Sequence, residues 1–185
     1  MHRKALGSGG RRARRGFTMV ELAIAMSMLM IGLVSAASAT MRMQHLRKQN
    51  RERVVAQNAL RSMGERIHAQ AYRDSLDHPD AWAQNVLDAF GPDGTLKGVF
   101  DVEFLSPPNE DQEFPGTIQV VVDETTTDAA LGMDLGMPRD LNGDGDAADL
   151  DVSADACILP VVLRIEWKGQ QGLQEISHGF FVMGY

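Results

Sequence analysis

The chain has 185 residues, 18 Lys and Arg against 25 Asp and Glu for a formal charge of −7, and one cysteine. This length leaves room for one globular domain of modest size beside an apolar N-terminal segment. The acidic balance disfavours a nucleic acid as partner, and a single thiol, Cys157, excludes an intrachain disulfide.

Residues 1–16 hold six basic side chains (Arg3, Lys4, Arg11, Arg12, Arg14, Arg15) and no acid, and they are rich in Gly and Ser. They read as a leader, processed or cytoplasmic, and not as part of the fold. The remainder of the chain is more acidic than the whole, with 12 basic side chains left against all 25 acids. From Phe17 to Met41 the only charge is Glu21. A helix of about 20 residues already spans a hydrocarbon layer of roughly 30 Å, so the segment is long enough to cross a membrane. Glu21 needs a partner there, because an ionised carboxylate at mid-bilayer costs roughly 2.5–3.5 kcal/mol.

Between Arg42 and Tyr72 there is no Pro, and Ala56, Leu60, Met63 and Ile67 recur at helical spacing beside Arg and Gln. The pattern predicts one helix from near Thr18 to about Tyr72, apolar in its first part and amphipathic over 42–72. Asp77 to Asp93 predicts a short helix between turns. Four strand-like runs come next: Val99–Leu105 with Phe100, Val102 and Phe104 on one face, Thr117–Val122, Val161–Trp167 and Leu173–Met183. The first three alternate with period two, as antiparallel strands with one wet face do. Gly169 to Gly172 predicts a hairpin connection. The class is α+β, a long N-terminal helix packed on a four-stranded antiparallel sheet. Cys157, beside the apolar run Ile158–Val162, reads as a small core residue.

Residues 123–156 interrupt this regularity with ten acids and a single base, Arg139. Within them Asp140, Asn142 and Asp144 alternate before Gly145 and Asp146, and Asp151 stands eleven residues after Asp140. Ca2+ takes six to eight hard oxygens around a tight turn. This spacing predicts a structural Ca2+ held by the side chains of Asp140, Asn142 and Asp144, the carbonyl of Asp146 and the carboxylate of Asp151. Asp stands where an EF-hand has Glu, and Val152 onward reads as an approach to a strand, so the loop is EF-hand-like or dockerin-like only.

Gly16-Phe17-Thr18-Met19-Val20-Glu21, with a basic leader before it and an uninterrupted apolar helix after it, resembles the prepilin cleavage and methylation signal of type IV pilins and type II secretion pseudopilins. The resemblance implies a lollipop-shaped subunit with no catalytic role. By the same resemblance, a prepilin peptidase cuts between Gly16 and Phe17 and methylates Phe17, and Glu21 pairs with the N-terminal amine of a neighbouring subunit. The partners it implies are other pilin or pseudopilin subunits, inner-membrane lipid, and a membrane assembly platform driven by a cytoplasmic ATPase. The domain 73–185 is then periplasmic until the subunit enters a filament. The membrane run departs from many members of that family in having no Pro, and the chain lacks the C-terminal cysteine pair of many adhesive pilins, which favours a pseudopilin or minor pilin.

A second reading uses the same residues. Arg14-Arg15-Gly16-Phe17 resembles a twin-arginine signal and Ala37-Ser38-Ala39 a signal-peptidase site, leaving an exported calcium-dependent binding module that begins near Thr40. An enzyme finds little support, since His45, His68, His78 and His178 have no metal-ligand spacing and no nucleophile or phosphate-loop motif is present.

Overall fold

The computed structural model describes residues 18–170 and 172–184, in two compact units, Met1–Gln44 and His45–Tyr185. Helix α1 (Met19–Asp77) runs five residues past the predicted end. It stops where His78 donates to the Asp74 carbonyl at 2.7 Å and Pro79 comes next, a residue that cannot continue the ladder. Its buried stripe is Ala56, Leu60, Gly64, Ile67 and Ala71, then Asp74 and Ser75. Gly64 replaces the predicted Met63 in that stripe, because Phe180 lies 3.6 Å from where a Cβ on residue 64 would sit. Met63 is half-buried beside it. Helix α2 (Trp82–Phe90) buries Trp82, Ala83, Val86 and Phe90, and the Trp82 indole donates to the Ala156 carbonyl at 3.2 Å.

The sheet has four antiparallel strands in the order β1 (Val99–Phe100), β2 (Gly116–Val120), β3 (Ile158–Gly169) and β4 (Gly172–Met183). The class predicted from periodicity is therefore the class observed: a long N-terminal helix and a four-stranded antiparallel sheet. β3 and β4 pair without interruption from Ile158↔Met183 to Gly169↔Gly172, at the predicted hairpin. Val161, Leu163, Ile165 and Trp167 of β3 are each at most 1 % exposed, and burial of such side chains is worth about 1.5–3 kcal/mol apiece. Their face is the one toward α1, since Phe180 pairs with Val161 and packs at Gly64. The Trp167 indole also donates to Glu52 of α1 at 3.3 Å.

The first predicted strand is corrected. β1 is two residues long, and Phe104, expected inside with Phe100 and Val102, is 73 % exposed. Phe104 adopts φ +70, a left-handed conformation that ends the alternation, and Leu105 turns inward in its place. The expectation of one wet face fails for β3, where Leu159 to Leu163 are buried without a break. The segment 123–157 covers that outer face: a Cβ on Gly179 of β4 would collide with Met133 and lie 2.8 Å from Leu135. Arg164 donates to the Leu131 carbonyl at 3.1 Å. Leu131, Met137, Leu141, Val152 and Ala156 join the core from this segment. It also forms a short helix, α3 (Asp128–Leu131), capped by Thr127.

Cys157 is exposed, against the expectation of a core residue. Ala156 takes the inward position, while the Cys157 thiol donates to the Asn142 carbonyl at 3.0 Å.

Candidate functional site

The beginning of α1 is apolar and uncovered. Its most hydrophobic eighteen-residue window has a mean hydropathy of 2.0 with none of it buried, so this helix is long and apolar enough to cross a membrane. Met28, Leu29, Met30, Ile31, Leu33 and Val34 each leave more than 60 % of their surface open. Glu21 sits in the first turn, where its backbone N–H donates to Thr18 Oγ1 at 3.2 Å and the helix dipole favours a negative charge. Thr18 and Glu21 thus form one half of a capping box. The carboxylate itself is exposed and has no partner among the described residues. Gly16 and Phe17, the expected processing pair, lie outside the described residues.

The acidic loop is ordered by its own carboxylates. Asp140 accepts from the amides of Gly143 at 2.5 Å and Gly145 at 3.0 Å, Asn142 from Asp144 and Asp144 from Asp146. The turn falls at the predicted glycine, Gly145, whose φ of +104 is open to Gly and costly for a residue with a Cβ. Asp151 accepts from the Ser153 amide at 2.9 Å, and bonds from the Ser153 backbone and side chain hold its carboxyl below the ordinary value. From there the chain passes through a turn into β3, with Val152 fully buried.

Carboxylates do converge, but around a residue outside the predicted set. Oxygens of Glu124, Asp146 and Asp149 lie within 4.8 Å of one another. Of the five predicted ligands, Asp146 enters this group, through its carboxylate and not the expected carbonyl, and it also accepts from the Ala148 amide at 3.0 Å; Asp140, Asn142, Asp144 and Asp151 are held by local amides. Glu124 is fully buried, and it accepts from the amides of Leu141 at 2.5 Å, Asn142 at 3.3 Å and Asp149 at 3.4 Å. Burial, then the like charges of Asp144, Asp146 and Glu124, push the Asp149 carboxyl up, against the Asn142 amide that donates to it at 3.1 Å. A signal for Glu124 was present in the sequence: Ile118, Val120 and Val122 share one parity in an apolar run, and the next position with that parity is Glu124.

Compared with known families, residues 11–37 match the one described as the prokaryotic N-terminal methylation motif. The chain carries a type IV pilin-like prepilin signal. The match takes in Gly16, Phe17 and Glu21, and a motif of this kind supports a precursor of the pilin or pseudopilin type. The apolar start of α1 fits the membrane anchor of such a prepilin. No curated protein and no solved structure matches the chain.

Proposed function

We propose that this prepilin-type chain is a structural subunit of a type IV pilus or a type II secretion pseudopilus, assembled through its N-terminal helix. The observation that carries the reading is the methylation motif over residues 11–37, in which one carboxylate, Glu21, precedes an uncharged membrane-length run. Prepilin peptidase removes residues 1–16 and methylates Phe17. Residues 17–41 then hold the subunit in the inner membrane, 42–72 continue the helix, and 73–185 form the periplasmic domain that travels with the filament.

Glu21 is the assembly contact. A carboxylate in lipid is tolerated when a cation meets it, and the methylated amine of a neighbouring subunit's first residue is such a cation. Glu21→Ala is expected to leave cleavage of the leader intact and to abolish incorporation into filaments. Incorporation of this variant at the normal level would refute the assembly role.

The acidic loop is proposed to hold a structural Ca2+. The donor set supports this: Glu124, Asp146 and Asp149 offer hard oxygens at close range, and their mutual repulsion falls when a divalent cation neutralises them. The ion would reinforce a segment that lines the outer face of β3.

A further inference from the structure

One end of the domain His45–Tyr185 is built from three pieces of chain. α1 enters it at His45, whose ring meets the Gln170 side chain of the β3–β4 turn, Nδ1 to Oε1 at 2.5 Å. The same turn reaches α1 again at Glu52, whose carboxylate lies 3.4 Å from where a Cβ on Gly169 would sit. The third piece is the connection after β1. There Ser106 accepts from the Lys168 amide at 3.2 Å, and Phe104 and Leu105 close a cleft of about 240 Å3 with Lys48, Arg51, Glu52 and Val55 of α1.

This end carries three large apolar side chains in the open, Leu46, Phe104 and Leu173, each more than half exposed. Phe104 sits at φ +70, a left-handed conformation that is costly for a residue with a Cβ and free for glycine. Burial does not offset that cost, for the ring is open to solvent and its contact is the Arg51 guanidinium, 5.6 Å from the centroid. A strained backbone that holds an aromatic ring outward, where glycine would relieve the strain, points to a use for the ring outside the domain.

The sequence says what stands outside. His45 follows the uncharged run Leu22–Met41 by four residues, and four residues of chain reach at most about 14 Å in any conformation. The polar layer on each side of a bilayer's hydrocarbon is itself about 5–8 Å thick. With residues 17–41 in the hydrocarbon, this end of the domain is tethered at the headgroups. Its exposed charges are mixed, Arg47, Arg53 and Lys168 against Glu103, Glu110 and Glu113, so the surface is distinguished by its apolar side chains and not by net charge.

We propose that Phe104, with Leu46 and Leu173 of the same end, seats in the headgroup boundary of the bilayer that anchors the chain, a second and apolar foothold made by the domain itself. The proposal rests on the reading of residues 17–41 as a membrane anchor. Two footholds fix the tilt of the domain over the membrane, and the second is released when the subunit leaves the bilayer.

The test uses the full-length chain in lipid nanodiscs, with brominated phosphatidylcholine to quench tryptophan fluorescence. Trp82 and Trp167 are buried and give a common background. Phe104→Trp is expected to be quenched about threefold more than Asp80→Trp, which follows the other end of α1, and the difference is expected to persist at roughly 0.5 M salt. Leu173→Trp is expected to be quenched likewise. Adding Phe104→Gly to it is expected to weaken that quenching about twofold while the melting temperature holds or rises, since glycine relieves the left-handed backbone. Equal quenching at positions 104 and 80, loss of the difference in salt, or Leu173→Trp quenching untouched by Phe104→Gly would overturn the foothold and leave the anchor standing. A sharp fall in melting temperature with Phe104→Gly would make the ring a structural one and overturn the foothold as well. A full-length chain that stays in solution while nanodiscs form would overturn the anchor reading and the foothold with it.

Discussion

Replacing Glu124 with Ala should open the acidic loop without unfolding the sheet. The side chain is fully buried and receives three backbone amides, one short bond from Leu141 and two longer ones from Asn142 and Asp149. A hydrogen bond to a charged group contributes about 1.5–3 kcal/mol, and a buried amide left without an acceptor costs about 1–3 kcal/mol. The Leu141 bond counts near the top of that range, since Leu141 is itself fully buried, and the two longer bonds count for little. Relief of the repulsion from Asp146 and Asp149 offsets part of the loss. A net cost of about 2–4 kcal/mol corresponds to a roughly 30- to 900-fold loss of protection in amide hydrogen exchange, at 1.36 kcal/mol per decade. Exchange at Leu141, Asn142 and Asp149 of the detergent-solubilised chain reads this directly. Amides of β3 from Leu163 to Trp167 serve as the internal control. Glu124→Gln keeps one acceptor oxygen and should lose about half as much free energy. Protection at Leu141 unchanged in Glu124→Ala would show that the buried carboxylate does not organise the loop.

Asp128 gives a test by pH. Amides of Met137 and Leu135, and then Gly136, hold its carboxyl below the ordinary value of 3.8. A depressed carboxylate adds stability above that ordinary value, which is lost as pH falls through the depressed one. The Leu135 and Met137 amide resonances should therefore shift only below about pH 4, and in Asp128→Asn that transition should vanish. Chelation of Ca2+ should raise protease sensitivity between Asp123 and Ala156, with readdition restoring resistance; cleavage patterns identical with and without chelator would remove the metal from the loop.

The elements whose partners lie close in sequence were legible beforehand. α1 announces itself through an unbroken stretch without Pro up to Pro79, and the β3–β4 hairpin through Gly169 and Gly172 flanking two alternating runs. What stayed hidden depends on contacts distant along the chain. Gly64 replaces Met63 in the stripe because Phe180 occupies the space, more than a hundred positions later. β1 stops after two residues at a left-handed Phe104 with no glycine to mark it. The acidic composition of 123–156 drew attention from Leu131, Leu141 and Val152, which are nearly or fully buried and turn that segment into a second cover for the sheet. The Asp140-to-Asp151 spacing located the turn at Gly145, yet the three carboxylates that approach one another include Glu124, contributed from the opposite end of the segment.

Intact mass spectrometry of the mature full-length protein tests the prepilin reading most directly. A polypeptide whose first residue is Phe17, heavier by one methyl group, is the result expected. A mature chain that starts near Thr40, or one that keeps residues 1–16 in cells with an active prepilin peptidase, would contradict it.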